Sequence, residues 1–359
     1  VTREHTGWDG SGSDLAAELQ AVLTDVVETR RTLLAPLGPD ADRLLDAAQQ
    51  AVTGGKRLRA SFCWWGYAAL APVDDPAALL RACASLELLH ASALAHDDLM
   101  DASDTRRGQP SAHRAFAAQH RELGWGGGAE EYGAAGAILL GDLLLSWSDE
   151  VLRTCGLPAE RVLAGLRMLD LTRTEVVAGQ FLDVSVQARG AADVDAAMTV
   201  LRYKSAKYSV ERPLHVGAAL AGADGAALAA LSRFGLPLGE AFQLRDDVLG
   251  VFGDPALTGK PAGDDLVEGK RTVLVALALD ALPASDAARL DAALGTALAE
   301  PEVDELRELI RASGALAQLE AVIEQLSDTA LEALATAPVR EPARAALGDL
   351  AARAVRRTV

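Results

Sequence analysis

The chain has 359 residues, half of them apolar, with few aromatics and a formal net charge of −17. That length is ample for a large core, and a composition led by Ala and Leu favours helix over sheet. The negative charge repels nucleic acid and anionic membrane surfaces, so neither is expected as a partner, and any anion site must be a local cluster of cations or metal.

The opening "VTREHTGWDGSGS" is polar and rich in Gly and Ser, and reads as a mobile start over residues 1–13. One all-α domain is expected over 14–359. From Asp14, Leu15, Leu19, Val22, Leu23, Val26 and Val27 recur at helical steps. A second helix runs from about Asp40 to Val52 and stops at Gly54–Gly55. "RLRASFCWWGYAALA" reads as a buried helix ended by "PVDDP", and Pro76–Met100 as a long apolar one. "RELGWGGGAEEYG" is a loop between helices. Helices follow at Ala134–Thr154, Ala159–Ala188, Asp193–Ala221, Gly225–Gly250, Lys270–Leu282, Ser285–Leu298, Val303–Ser313, and from Ala315 to near the C-terminus. No run of alternating β-branched residues marks a strand, and no fixed-period repeat stands out. The expected architecture is one all-α domain with a bundle of long helices at its centre. Cys63, Cys83 and Cys155 lie in apolar patterns without metal-ligand spacing and read as buried, reduced thiols. Without a signal core or a bilayer-length apolar run, the chain is expected in the cytoplasm with no transmembrane segment.

The chemistry concentrates in "HDDLMDASDTRRG", directly after the apolar "ASLELLHASALA". Asp97 and Asp101 are four residues apart on one helical face, where like charges repel by tenths of a kcal/mol. A solvated helix end would tolerate this. A hard divalent ion such as Mg²⁺, shared with substrate phosphates, would reverse its sign. A second cluster, "AFQLRDDVLGVFGD", sets Asp246 and Asp247 at the end of another apolar helix, with Asp254 beyond. Cations follow each cluster: Arg106–Arg107 after the first, and Lys260, Lys270 and Arg271 after the second. Lys56, Arg57 and Arg59 in "GGKRLR", with Lys204 and Lys207 in "YKSAKY", add further positive charge. Gathered at one cavity mouth, two carboxylate sets and these cations would clamp a diphosphate.

"GGKRLR", "LLHASALAHDDLMDASDTRRG", "GQFLDV", "YKSAKYSVERPLHVGAALAG" and "FQLRDDVLGVFGDPALTGKPAGDDLVEGKRT" resemble, in order, the successive motifs of the trans-isoprenyl diphosphate synthases, or polyprenyl synthetases. The resemblance is close over roughly residues 50–280. It implies an all-α isoprenoid synthase fold with a deep central cavity, usually homodimeric, and Mg²⁺-dependent head-to-tail condensation of isopentenyl diphosphate with an allylic diphosphate. By motif, Asp97 and Asp101 would be the main ligands of two Mg²⁺, supported by Asp98. Asp246, helped by Asp247, would hold a third. Arg106 would bind the allylic diphosphate, with Lys204, Gln243 and Lys260. Lys56, Arg59, His90 and Arg107 would bind the diphosphate of isopentenyl diphosphate. Gln180 and Ser205 resemble residues that line the reacting carbons. The released diphosphate would accept the proton.

The second cluster departs from the common Asp-Asp-x-x-Asp pattern, because Gly250 stands in its third place. Asp254 or Asp264–Asp265 are the candidates to compensate. Members that stop at farnesyl carry a bulky aromatic four or five residues before the first aspartate. Here those places are Ala93 and Ser92, with Leu89 eight residues back, roughly 12 Å along the helix. A product longer than farnesyl is expected, geranylgeranyl diphosphate first, with Leu89 or Phe181 as the floor. A farnesyl or longer-chain polyprenyl diphosphate synthase is the alternative. A terpene cyclase would need neither "GGKRLR" nor Arg107, and a non-catalytic partner subunit would tend to lose its aspartates.

Overall fold

The computed structural model describes residues 12–190, 193–253 and 263–355. Nearly all of them are helical, as the composition implies. Helix α1 spans Gly12–Leu34, α2 Pro39–Ala51, α3 Leu58–Ala68 and α4 Pro76–Met100. Of the polar start, Gly12 and Ser13 already belong to α1, and the rest lies outside the described residues. A two-residue ladder follows, β1 Thr105–Arg106 against β2 Gln109–Pro110. Next come α5 Ala112–Glu122, α6 Ala129–Arg153 and α7 Ala159–Arg189.

Helix α4 is the axis. Its N-terminus is capped by Asp75, which accepts from the Ala78 backbone N–H at 3.0 Å. Buried residues occur on every side of it, from Ala78 through Leu88 to Asp98, so it shows no amphipathic face. Among the described helices, α4 alone is long and apolar enough on composition to cross a bilayer, and 72% of its apolar window is buried inside the bundle. Its length serves packing. Leu79, Leu86 and Leu88 are fully buried in one core with Leu19 and Leu23 of α1 and Leu140 and Leu144 of α6.

The stretch expected as a single helix over 193–221 is continuous but not uniform. It runs as α8 Val194–Val200, a π-helical segment Leu201–Glu211, and α9 Arg212–Ala221. A π-helix is wide, and it fits here because glycines face it from both flanks. A Cβ on Gly179 of α7 would lie 2.4 Å from the Lys204 backbone nitrogen, and one on Gly239 would lie 2.4 Å from the Ala206 carbonyl oxygen. π-Helical turns concentrate at functional sites, and this one carries Lys204 and Ser205.

Helix α10 spans Gly225–Phe252, α11 Asp264–Val267, α12 Val273–Ala281, α13 Ala284–Ala293, α14 Glu300–Ala312 and α15 Ala315–Thr336. The last helix does not continue as expected. Pro338 cannot extend it, and the chain turns back into α16, Glu341–Val355. That turn is pinned to α3 by the Arg340 backbone N–H, which donates to the Ala69 carbonyl at 2.9 Å. Helix α5 has no counterpart in the expectations, although His113, Phe116, Ala117 and His120 are buried at helical spacing. Cys63, Cys83 and Cys155 are buried free thiols, as expected.

Candidate active site

A cavity of about 830 Å³ opens where α3, α4, α7, the π-helix, α10 and α11 converge. Its wall carries Lys56, Arg59, His90, Asp97, Arg106, Arg107, Lys204, Ser205, Gln243, Asp246 and Asp247, so most of the residues proposed from the sequence meet in one place. Lys260 and Asp254 lie outside the described residues.

The first aspartates sit on the last turn of α4 and at its C-cap, and their roles differ more than the motif implies. Asp97 lines the cavity. Its Oδ1 accepts a hydrogen bond from Gln180 at 2.9 Å and stands 3.2 Å from the Lys204 ammonium. Burial alone would raise its pKa, but the charges of Lys204, Lys270 and Arg106 outweigh burial and hold it below the ordinary carboxylate value. Asp98 is only 3% exposed and is ion-paired to Arg106, whose Nε donates to Oδ1 at 2.9 Å. It is not among the residues of the cavity wall, and its observed partner is Arg106. Asp101 is pushed up to about 6 by burial and then by the neighbouring Asp97 charge. Its Oδ2 lies 3.6 Å from the Lys270 ammonium.

The second cluster faces the first from the end of α10. Gln243 donates to Asp247 at 2.9 Å, one helical turn apart. Burial pushes Asp247 well up against that hydrogen bond, with Asp265 and Asp246 adding to the rise. Lys270 ties the two clusters together. Its ammonium lies 3.5 Å from Asp265 and also pairs with Glu268 and Asp101. Lys204 stands on Asp183, 2.6 Å away. Burial works against the charge on both lysines, and the surrounding carboxylates outweigh it.

At the other end of the cavity, Arg59 donates to the Ser209 hydroxyl at 2.7 Å and lies over the Tyr208 ring, 4.3 Å from its centroid. Arg107 donates to the Thr53 carbonyl at 3.0 Å, which closes the β1–β2 turn onto the "GGKRLR" loop. His90 bonds the Tyr208 hydroxyl through Nδ1 at 3.2 Å. Burial, then the charges of Arg59, Arg107, Arg106 and Arg57, push its pKa well below the imidazole value, so the ring is neutral at pH 7. His90 therefore contributes a hydrogen bond here, and the arginines supply the charge. Arg57, which the sequence alone presents as another surface cation, is instead buried. It pairs with Glu87 at 3.0 Å and also donates to Gln20 and the Val52 carbonyl, each at 2.6 Å. Its φ of 51° is one of three positive values at non-glycine residues among the described residues, with Ala102 and Arg107, and Arg57 and Arg107 are both on the cavity wall.

The donor set fits a hard divalent ion. Every candidate ligand is a carboxylate oxygen, Asp97 of the first cluster and Asp246 and Asp247 of the second line the same cavity, and basic side chains line it with them. No three carboxylates converge into a ready metal cage among the described residues. That is the pattern of a site in which the ion takes one or two carboxylates and the rest of its oxygens from phosphate.

Sequence reasoning misses Glu87, Asp183 and the bridging position of Lys270, whereas Asp265 is already one of its candidates to compensate for Gly250. Asp183 is visible in "GQFLDV", three residues after Gln180, on the same face of α7. Leu89 and Ser92 are buried and Ala93 is half-buried, yet none lines the cavity, whose α4 wall is Glu87, His90, Leu94 and Asp97. Phe181 is no floor. It is 74% exposed and shares an outward stripe of α7 with Val177 and Val184.

Gly179→Ala tests whether the π-helix positions Lys204. The new Cβ meets backbone atoms of Tyr203 and Lys204, so the segment must move, at a cost of about 1–3 kcal/mol. The expected result is a lower urea midpoint together with a raised KM for the allylic substrate. A shifted midpoint with an unchanged KM would rule out the positioning role.

The Polyprenyl synthetase family profile matches residues 41–312. The chain is 33% identical to the geranylgeranyl diphosphate synthase of Mycobacterium tuberculosis over 347 residues, covering 94% of this chain and 91% of the relative. It is 32% identical to the geranylfarnesyl diphosphate synthase of Natronomonas pharaonis over 279 residues, 74% and 75% of the two chains. The crystal structure of a Corynebacterium glutamicum geranylgeranyl pyrophosphate synthase, complexed with isoprenyl diphosphate and magnesium, superposes with a TM-score of 0.94. It is 38% identical and covers 97% of this chain and all of that one.

Proposed function

This chain belongs to the polyprenyl synthetase family and is a trans-prenyltransferase, and we propose that it makes geranylgeranyl diphosphate from isopentenyl diphosphate and an allylic primer. The observation that carries the chemistry is the pairing of two carboxylate clusters with two separate groups of cations around one cavity. Lys204 and Arg106, with Lys270 beside the carboxylates, take the allylic diphosphate. Lys56, Arg59, Arg107 and neutral His90 take the isopentenyl diphosphate.

We assign Mg²⁺ to Asp97, Asp101, Asp246 and Asp247, three ions per site by family resemblance, and its chemistry is to withdraw charge from the departing diphosphate. The protein's own residues do the rest. Asp98 and Asp183 hold Arg106 and Lys204 where negative charge grows on the leaving group, so the charge is met by cations already in place. The two cation groups hold both substrates together, which turns a bimolecular encounter into a positioned one. The double bond of isopentenyl diphosphate attacks the allylic carbon as its C–O bond breaks. The diphosphate that leaves takes the proton lost from the new chain, and by the family resemblance Ser205 and Gln180 would line the reacting carbons.

The product length is read from the family resemblance alone: Ala93 and Ser92, small side chains about one turn before Asp97, stand where farnesyl-forming members carry an aromatic, although neither is on the cavity wall. The stripe of Val177, Phe181 and Val184 on α7, with exposed Ile138 and Leu139 on α6, supports a homodimer. Incubation with isopentenyl diphosphate, Mg²⁺ and each allylic primer, followed by dephosphorylation and sizing, is expected to give a dominant twenty-carbon alcohol. Ser92→Phe and Ala93→Phe should shorten it. A fifteen-carbon product from the unaltered chain would keep the chemistry and reject the length assignment, and no isopentenyl incorporation would reject both.

A further inference from the structure

We propose that Gln20 of α1 is a positioning residue for the isopentenyl diphosphate end of the cavity, because its side-chain oxygen ties down the loop on both sides of Lys56. The inference rests on the reading above, in which Lys56 takes that diphosphate. Gln20 lies before residues 41–312, the span of the family profile.

Lys56 follows two glycines in the connection between α2 and α3. Gly54, Gly55 and Arg57 all have positive φ, of 71°, 89° and 51°. Glycine backbone has the most conformational freedom to lose, so a cation carried on this loop must be tethered if it is to wait in place for an anion. Gln20 supplies the tether. Its Oε1 accepts from the Gly54 backbone N–H at 3.1 Å and from Arg57 Nη2 at 2.6 Å. One oxygen thus meets the chain two residues before Lys56 and one residue after it. Lys56, held between these two points, is on the cavity wall with Gly55, Arg57 and Arg59.

The tether is itself fixed. Leu19 and Leu23, one residue before Gln20 and three after it, are fully buried in the core that α1 shares with α4. Gln20 is half-buried, and its Nε2 lies 3.4 Å from Thr24 Oγ1 one turn on, which turns the oxygen to the loop. Other anchors hold the ends of the loop: Glu87 of α4 takes the Arg57 guanidinium, and Arg107 of the β1–β2 turn takes the Thr53 carbonyl. Gln20 is the contact that joins Gly54 to Arg57 across Lys56.

Gln20→Met keeps the length of the side chain and removes both hydrogen bonds. With the allylic substrate saturating, the KM for isopentenyl diphosphate is expected to rise about fivefold to tenfold, while kcat and the allylic KM stay within about twofold. The same change made in Lys56→Ala should raise that KM by less than about twofold further, because the side chain through which Gln20 acts is then gone. An unchanged isopentenyl diphosphate KM in Gln20→Met, even with a lowered melting temperature, would show a purely structural tie between α1 and the loop and overturn the proposal. So would equal losses for both substrates, or the full Gln20→Met effect persisting in Lys56→Ala. If Gln20→Met does not fold, Gln20→Asn, which withdraws the amide by one methylene, decides by the same KM. Failure of the unaltered chain to incorporate isopentenyl diphosphate, or an unchanged KM in Lys56→Ala, would overturn the substrate assignment itself, together with this inference.

Discussion

Asp97→Asn is expected to lower kcat by about 10³-fold with the chain still folded. Of the first three aspartates, Asp97 is the one on the cavity wall, because Asp98 is spent on Arg106 and Asp101 lies against Lys270. An asparagine keeps the hydrogen bond from Gln180 and the side-chain volume, so the change removes charge alone. Two things follow from its loss. A divalent ion loses a principal oxygen ligand, and Lys204 loses one of its two nearby carboxylates while Asp183 still holds it. The effect should therefore fall on the chemical step more than on binding, with kcat and kcat/KM for the allylic substrate dropping together. Asp98→Asn should behave differently, raising the allylic KM as Arg106 loses its anchor. Single-turnover release of diphosphate, with circular dichroism as the folding check, separates the two. A kcat within threefold of the unaltered protein would remove Asp97 from the metal set.

Glu87→Gln is expected to cost about 3–5 kcal/mol of stability, the range for breaking a buried ion pair by removing one partner. Glu87 and Arg57 are each 5% exposed at the side chain and 3.0 Å apart. Glu87 also accepts from the Ala60 backbone N–H at 3.2 Å, so it ties α4 to the first turn of α3. Glutamine retains that bond through its carbonyl but leaves the guanidinium buried without a counter-charge, served only by Gln20 and the Val52 carbonyl. The damage should reach function as well, because Arg57 pins the loop that carries Lys56 and leads into α3, which carries Arg59. Urea unfolding should show the lowered midpoint, and steady-state kinetics a raised KM for isopentenyl diphosphate with a smaller change in kcat. Adding Arg57→Met to Glu87→Gln should recover part of the stability, since the stranded charge is then gone. A loss below about 1 kcal/mol in the single variant would mean that water reaches Arg57 and that the pair matters little.

The residues proposed to carry the chemistry are legible in the amino-acid sequence by itself. Asp97, Asp101, Asp246, Asp247 and the cations around them stand out because carboxylates at the ends of apolar helices are costly unless something binds them. The helical class and most helix positions are equally visible, since apolar spacing and Gly/Pro punctuation are local properties. Pro338 marks the last helix break in the sequence too, although the periodicity on either side of it masks the turn.

What only the tertiary structure decided are the pairings between distant parts of the chain. Two adjacent aspartates in one motif part company because helical geometry turns Asp98 into the protein toward Arg106, while Asp97 faces the cavity. Arg57 and Arg59, two residues apart on the same cavity wall, take different partners, Glu87 for the first and Ser209 for the second. The π-helix depends on glycines from two other helices, and no local propensity announces it. The empty third place at Gly250 looks like a loss in the sequence. In the folded chain the Asp265 carboxylate, fifteen residues further on, packs against the Gly250 α-carbon. Periodicity and residue type act within a turn or two of helix. Charge pairing and close packing act through space, and they assigned the individual roles.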